Sequence, residues 1–199
     1  METFDQAYPA TFEVDRAERI AHWRPLVQWL LAIPHFLILD ALQLLARAVA
    51  VIGWFAILFT GKLPEGLAGV LGLYIRYNNR VAAYAGFLRE EYPPFAFDTT
   101  FPDPGNDPPV RTGFAPELED RNRLTVGFRL ILAIPQIIVV ALLGIAAFLV
   151  WVIAFFAVLF TGRWPEGLRT FVVGYVRWFT RVEAYVGLLT DRYPPFSLE

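Results

Sequence analysis

Hydrophobic residues in this chain gather into two long blocks. Residues 26–60 and 130–160 are nearly uninterrupted in apolar character, and each exceeds the roughly 20 residues that a helix needs to cross a bilayer. A core helix of a soluble protein shows a polar face at helical spacing, and residues 131–160 show none. A different pattern follows each block. Residues 67–88 are apolar on one side and carry Arg76, Arg80 and Tyr84 near the other, as an amphipathic helix lying in a membrane interface does. Arg177, Arg181 and Tyr185 stand in the matching places after the second block.

These patterns are copies of each other. Ala32-Ile33-Pro34 returns as Ala133-Ile134-Pro135, and Phe59-Thr60-Gly61-Lys62-Leu63-Pro64-Glu65-Gly66-Leu67 as Phe160-Thr161-Gly162-Arg163-Trp164-Pro165-Glu166-Gly167-Leu168. Tyr92-Pro93-Pro94-Phe95 returns as Tyr193-Pro194-Pro195-Phe196 at the same offset. About two positions in five match over roughly eighty residues without a gap, which marks a tandem duplication. The boundaries follow: a polar tail at 1–15, one membrane repeat at 16–97, a linker at 98–117 and a second repeat at 118–199. The linker is rich in Pro, Asp, Gly and Thr, a composition that cannot bury enough surface to order itself in lipid, so it is expected outside the membrane.

A helix over residues 26–60 would be about 50 Å long against a hydrocarbon core of about 30 Å. Charge placement favours folding each block into a hairpin. Two crossings per copy would gather Arg16, Arg19, Arg24, Lys62, Arg76, Arg80, Arg89 and their counterparts on one side, leaving only Arg47 at a tip. That asymmetry predicts cytoplasmic termini and linker. Asp40, Gln43 and Arg47, which share a helical face, would then reach water at the tip. The fold class expected is an all-α integral membrane protein with about four transmembrane helices: two repeats, each a transmembrane hairpin plus an amphipathic interfacial helix.

Composition agrees with lipid contact. Of 199 residues 56% are hydrophobic and only 18% charged, with a net charge of −2, which argues against nucleic acid because phosphate neutralisation needs a basic excess. The acidic start of the chain lacks the basic-then-apolar order of a secretory signal. With no cysteine and two isolated histidines, His22 and His35, no metal site or thiol chemistry is expected.

Candidate chemistry is thin. The Phe-Thr-Gly-[Lys/Arg]-x-Pro-Glu-Gly-Leu segment reads as punctuation between helices: Gly61 can close one left-handed, Pro64 can open the next, and Glu65 suits its positive end. Arg76, Arg80, Tyr84, Arg177, Arg181 and Tyr185 are the candidate lipid-headgroup contacts. Ordinary anchoring is favoured over a clamp formed by the two arginine pairs on one anionic ligand. Proline at 34 and 135 predicts a kink, and His35 beside it more simply serves that kink than a proton relay. There is no phosphate loop, no His-Glu-x-x-His, no Gly-x-Ser-x-Gly and no serine before Ser197, so no catalytic residue and no cofactor is expected.

The segments Leu31-Ala32-Ile33-Pro34-His35, Trp54-Phe55-Ala56-Ile57-Leu58-Phe59-Thr60-Gly61, Arg80-Val81-x-Ala83-Tyr84 and Tyr92-Pro93-Pro94-Phe95 resemble a bacterial membrane-protein family, the domain of unknown function 4389, in both copies. Gln136 stands where the first copy has His35. The resemblance implies a protein of the bacterial inner membrane with no activity and no catalytic residues to carry over. The expected function is a non-enzymatic membrane scaffold or accessory subunit, partnered by lipids and by other membrane subunits or itself. The alternative is a small transporter or lipid-binding protein, and an enzyme acting on lipid ranks behind both.

Overall fold

The computed structural model describes residues 8–199, and the part of the expected polar tail before Tyr8 lies outside the described residues. The order of elements is β1 (Ala10–Val14), α1 (Arg24–Leu31), α2 (Ile33–Thr60), α3 (Glu65–Ala85), β2 (Val110–Phe114), α4 (Arg123–Gly127), α5 (Arg129–Thr161) and α6 (Glu166–Val186). Each copy therefore runs strand, short helix, long helix, helix.

The hairpins expected within each apolar block are not formed. α2 continues unbroken for 28 residues and α5 for 33, so that among the described residues two helices, not four, are long and apolar enough to cross a membrane. The reason is local. Between Pro34 and Gly53 the first block contains no glycine or proline, and nothing there breaks a helix in favour of a turn. Pro34 lies in the first turn of α2, where no partner for its missing N–H is needed, and Pro135 is carried inside α5. The break in the chain comes earlier, at Ala32 between α1 and α2 and at Phe128 between α4 and α5.

The turn after each long helix follows the sequence. Gly61 and Gly162 cap α2 and α5 in the left-handed region, with φ of 74° and 67°, and Pro64 and Pro165 stand immediately ahead of α3 and α6. α3 then folds back on α2, and α6 on α5. In neither does the basic side face outward. Of α3, Leu71, Ile75, Tyr77, Val81 and Tyr84 are all buried, because α2 covers one side and the sheet and linker cover the other. The expectation of amphipathic helices lying at the membrane surface is corrected accordingly: their polar side faces protein.

The class is mostly helical rather than all-α. The tail and the linker contribute β1 and β2, which pair antiparallel with Phe12 opposite Thr112. β1 packs on α6 and β2 on α3, so each strand leans on the other copy's or the preceding copy's last helix. The molecule thus has three layers: α2 and α5, then α3 and α6, then the sheet and linker. Backbone bonds cross between copies as well. The amide of Ile20 donates to the carbonyl of Gly162 at 2.9 Å, and that of Arg121 to Gly61 at 3.0 Å.

The outer layer keeps its apolar side unburied. Leu37, Leu44, Ile52 and Phe59 of α2 are each more than half exposed, as are Leu130, Leu142, Phe148 and Phe160 of α5. The side turned inward carries small residues, Ala46, Val49, Ala133, Ala147 and Ala154 among them, which lets the helices of adjacent layers approach closely.

Candidate functional site

The six residues expected to touch lipid headgroups are turned into the protein. Arg76 is 2% exposed; its guanidinium donates to the carbonyl of Thr100 at 2.9 Å and lies over the ring of Phe101. Arg80 faces Asp103 at 3.5 Å and Asp107 at 3.9 Å, the latter shared with Arg89 at 2.5 Å. Arg177 donates to the carbonyls of Phe12 and Leu198, and Arg181 to that of Ser197. Tyr84 packs edge-on against Tyr92, and Tyr185 against Tyr193, with the Arg129 guanidinium over the Tyr185 ring at 4.7 Å from its centre. A basic residue on α3 or α6 has its counter-dipole supplied by the chain that returns over it. Arg76 and Arg80 consequently bind the linker, and Arg177 and Arg181 bind the C-terminal segment, with Arg177 also reaching β1.

His35 has the same kind of role. Its Nδ1 lies 2.6 Å from the Tyr77 hydroxyl, and its ring stacks on Phe95 at 4.4 Å. One repeat later, Gln136 accepts from the Trp178 indole at 2.8 Å and donates to the Pro194 carbonyl at 2.6 Å, with Phe196 beside Trp178. Histidine and glutamine are thus two solutions to one task, tying the Tyr-Pro-Pro-Phe segment to the long helix and to the helix after it.

A polar group that the sequence pattern did not assemble lies where the copies meet. A cleft of about 300 Å³ opens between α2, α3, α5 and α6, with Gln43, Arg47, Tyr74 and Glu183 among an otherwise apolar lining. Gln43 donates to the Tyr74 hydroxyl at 3.2 Å. Glu183 has Asn78 as a side-chain donor, while its Oε2 is buried with no partner. Burial pushes the Glu183 carboxyl up to about 8, the bond from Asn78 opposing part of that shift; the side chain is mainly protonated at neutral pH. Burial likewise raises Tyr74 and Tyr175 above the usual phenol range, with Glu183 adding to both. A second cavity of about 480 Å³ is lined by Ala50, Val51, Trp54, Arg129 and Leu130, and Arg47, Ala50 and Val186 border both.

The signal for this group was a break in the repeat. Gln43, Arg47, Asn78 and Glu183 are matched in the other copy by Gly144, Phe148, Phe179 and Ala82. Both copies contribute to this one polar floor, and of its polar residues only Tyr74 has a polar counterpart, Tyr175, in the other copy. Gly144 adds a second reason for asymmetry: a Cβ there would lie 2.9 Å from the Tyr175 hydroxyl.

One further charged cluster is structural. Arg121 reaches Asp191 at 2.5 Å, Arg129 binds the same carboxylate, and both also donate to backbone carbonyls, which offsets part of the cost of burying two cations beside one anion. Among the described residues no three His, Asp or Glu side chains converge as a metal ion requires.

One family model matches the chain twice, over residues 23–96 and 123–197, and its description is Domain of unknown function (DUF4389). The two matched segments are the two copies. No curated protein and no solved structure matches.

Proposed function

Because the chain belongs to the DUF4389 family over both of its copies, and that family's description names no activity, we propose its function from geometry: a non-enzymatic scaffold or accessory subunit that lies flat in one leaflet. In this reading α2 and α5 rest side-on among acyl chains, while the sheet, the linker and both termini share the aqueous side. The bacterial inner membrane is the proposed location, with the cytoplasm as that aqueous side.

The observation that carries the reading is the position of Arg111. It pairs with Glu13 at 3.2 Å and Asp15 at 2.9 Å, and all three side chains are more than half exposed. The neighbouring Thr112 accepts from Asn79 of α3 at 3.2 Å. Asn79 is about 21 Å from the Gly61 turn at 1.5 Å per residue, roughly halfway along a bundle set by the ~42 Å of α2. If α2 and α5 stood upright across a bilayer, this exposed triad would fall near the hydrocarbon centre, where each ionised group costs roughly 2.5–3.5 kcal/mol. Lying flat keeps the triad in water and still buries the apolar side of α2 and α5, whose transfer is favourable at ~25 cal/mol per Å².

The test uses the absence of native cysteine. Spin labels at Leu37, Leu44, Ile52 and Phe59, all on the exposed side of α2, should report one common depth in the bilayer. A profile running from one interface through the centre to the other would overturn the flat orientation.

A further inference from the structure

Arg47 is exposed on α2 between exposed apolar residues, Leu44 on one side and Val51 on the other. Among the described residues its guanidinium makes no ion pair. In the flat orientation this cation faces acyl chains, where an unpaired charge is unstable. Among the described residues nothing supplies its counter-ion. Asp40 is two turns away, about 10 Å along the axis, and Glu183 on the cleft floor is held in its protonated form by burial. Behind Arg47 a mainly apolar groove runs past Ala50, Trp54 and Leu130, with Arg129 also in its lining, and each of the two cavities that Arg47 borders, about 300 and about 480 Å³, lies within the ~300–1,000 Å³ range of ligand sites.

We propose that this groove is a binding site for one anionic phospholipid of the surrounding leaflet, with Arg47 paired to the phosphate and one acyl chain laid along the groove. Guanidinium and phosphate match in charge and in their paired donor and acceptor geometry. Gln43 and the Tyr74 hydroxyl, bonded to each other beside Arg47, stand ready to share the headgroup's remaining oxygens. Glu183 contributes by staying neutral, since a carboxylate there would both repel the phosphate and compete for Arg47. The second copy cannot form an equivalent site, because Phe148 and Gly144 replace Arg47 and Gln43. The stoichiometry is one lipid per chain. The inference rests on the flat orientation, which brings Arg47 among lipids.

The test is native mass spectrometry of the full chain in mild detergent, supplied with phosphatidylglycerol or with phosphatidylcholine. One phosphatidylglycerol per chain should be retained in preference to phosphatidylcholine, and Arg47→Gln should weaken retention about tenfold, as loss of one charge-assisted pair does. Ala50→Leu, which narrows the groove and leaves the charge in place, should weaken it as well. Inorganic phosphate should not displace the lipid. Equal retention of both lipids, two equivalent lipids per chain, displacement by phosphate alone, or retention untouched by Arg47→Gln would each overturn the site. The depth profile separates the two failures: a common depth with no lipid selectivity removes the site and leaves the orientation, whereas a spanning profile removes both.

Discussion

Asn79 donates from Nδ2 to the Thr180 hydroxyl at 2.9 Å, and the two residues are the same position in successive copies. The pseudo-twofold axis of the molecule therefore runs between them, where α3 crosses α6. The same Nδ2 reaches Thr112 of β2 at 3.2 Å, so one side chain joins both central helices to the sheet. Asn79→Ala should destabilise the protein by about 1–3 kcal/mol, the usual cost of leaving buried polar partners unsatisfied. Thermal unfolding in detergent measures it, and Asn78→Ala, one residue along, should leave this junction intact.

Glu183 gives the fold a pH dependence of unusual sign. Its carboxyl is raised from an ordinary 4.5 to about 8. Between those values the unfolded chain has released the proton and the native one holds it, so stability falls as pH climbs through the window and levels off above about 8. Arg47 from α2, Tyr74 and Asn78 from α3 and Tyr175 from α6 surround the group. Glu183→Gln should flatten the profile and gain on the order of 4 kcal/mol at pH 8. A denaturation series from pH 5 to pH 9 reads both effects, and a variant with the original slope would assign it elsewhere.

The two glycine caps should differ in their tolerance of a side chain. Alanine in the left-handed region costs about 1 kcal/mol at either. At Gly61 the new Cβ would meet only the flexible guanidinium of Arg123 at 3.4 Å, but at Gly162 it would come within 3.1 Å of the Ile20 carbonyl. Gly162→Ala is expected to be the more damaging, and it should loosen the bond between Ile20 and Gly162, seen as faster hydrogen exchange at the Ile20 amide.

His35→Gln copies the solution of the second repeat and should be nearly neutral in stability, whereas His35→Leu should lose about 1–3 kcal/mol by stranding the buried Tyr77 hydroxyl. Both are read by chemical denaturation. A proton-relay residue would tolerate neither change in a functional readout, while an anchor tolerates the first.

Much of the architecture was legible because it is local. The duplication, the Gly61 and Gly162 caps and the prolines ahead of α3 and α6 follow from residue identity at fixed spacing. Whether an apolar block bends is not written in its hydropathy: the length of α2 reflects the lack of a breaker between Pro34 and Gly53, while α5 runs on through Pro135 and Gly144, and charge balance predicted neither. The arginines of α3 and α6 misled for a different reason. Basic and aromatic residues on one helix side suit lipid phosphate or a carbonyl-rich segment equally well, and the segment that covers them comes from distant sequence. Phe87 and Leu188, both left-handed at φ of 59° and 65°, mark where the chain reverses after α3 and α6, and neither residue type announces such a turn. The polar cleft needed a comparison of the copies for what they do not share.

The crosswise bonds of Ile20 to Gly162 and Arg121 to Gly61 have a consequence for assembly. Each copy finishes its partner's helix cap and lends a strand to the shared ribbon, so neither is a self-sufficient folding unit. A polypeptide carrying a single copy would be complete only as a homodimer, and the connecting segment of this chain serves as the covalent tether that makes such an encounter intramolecular.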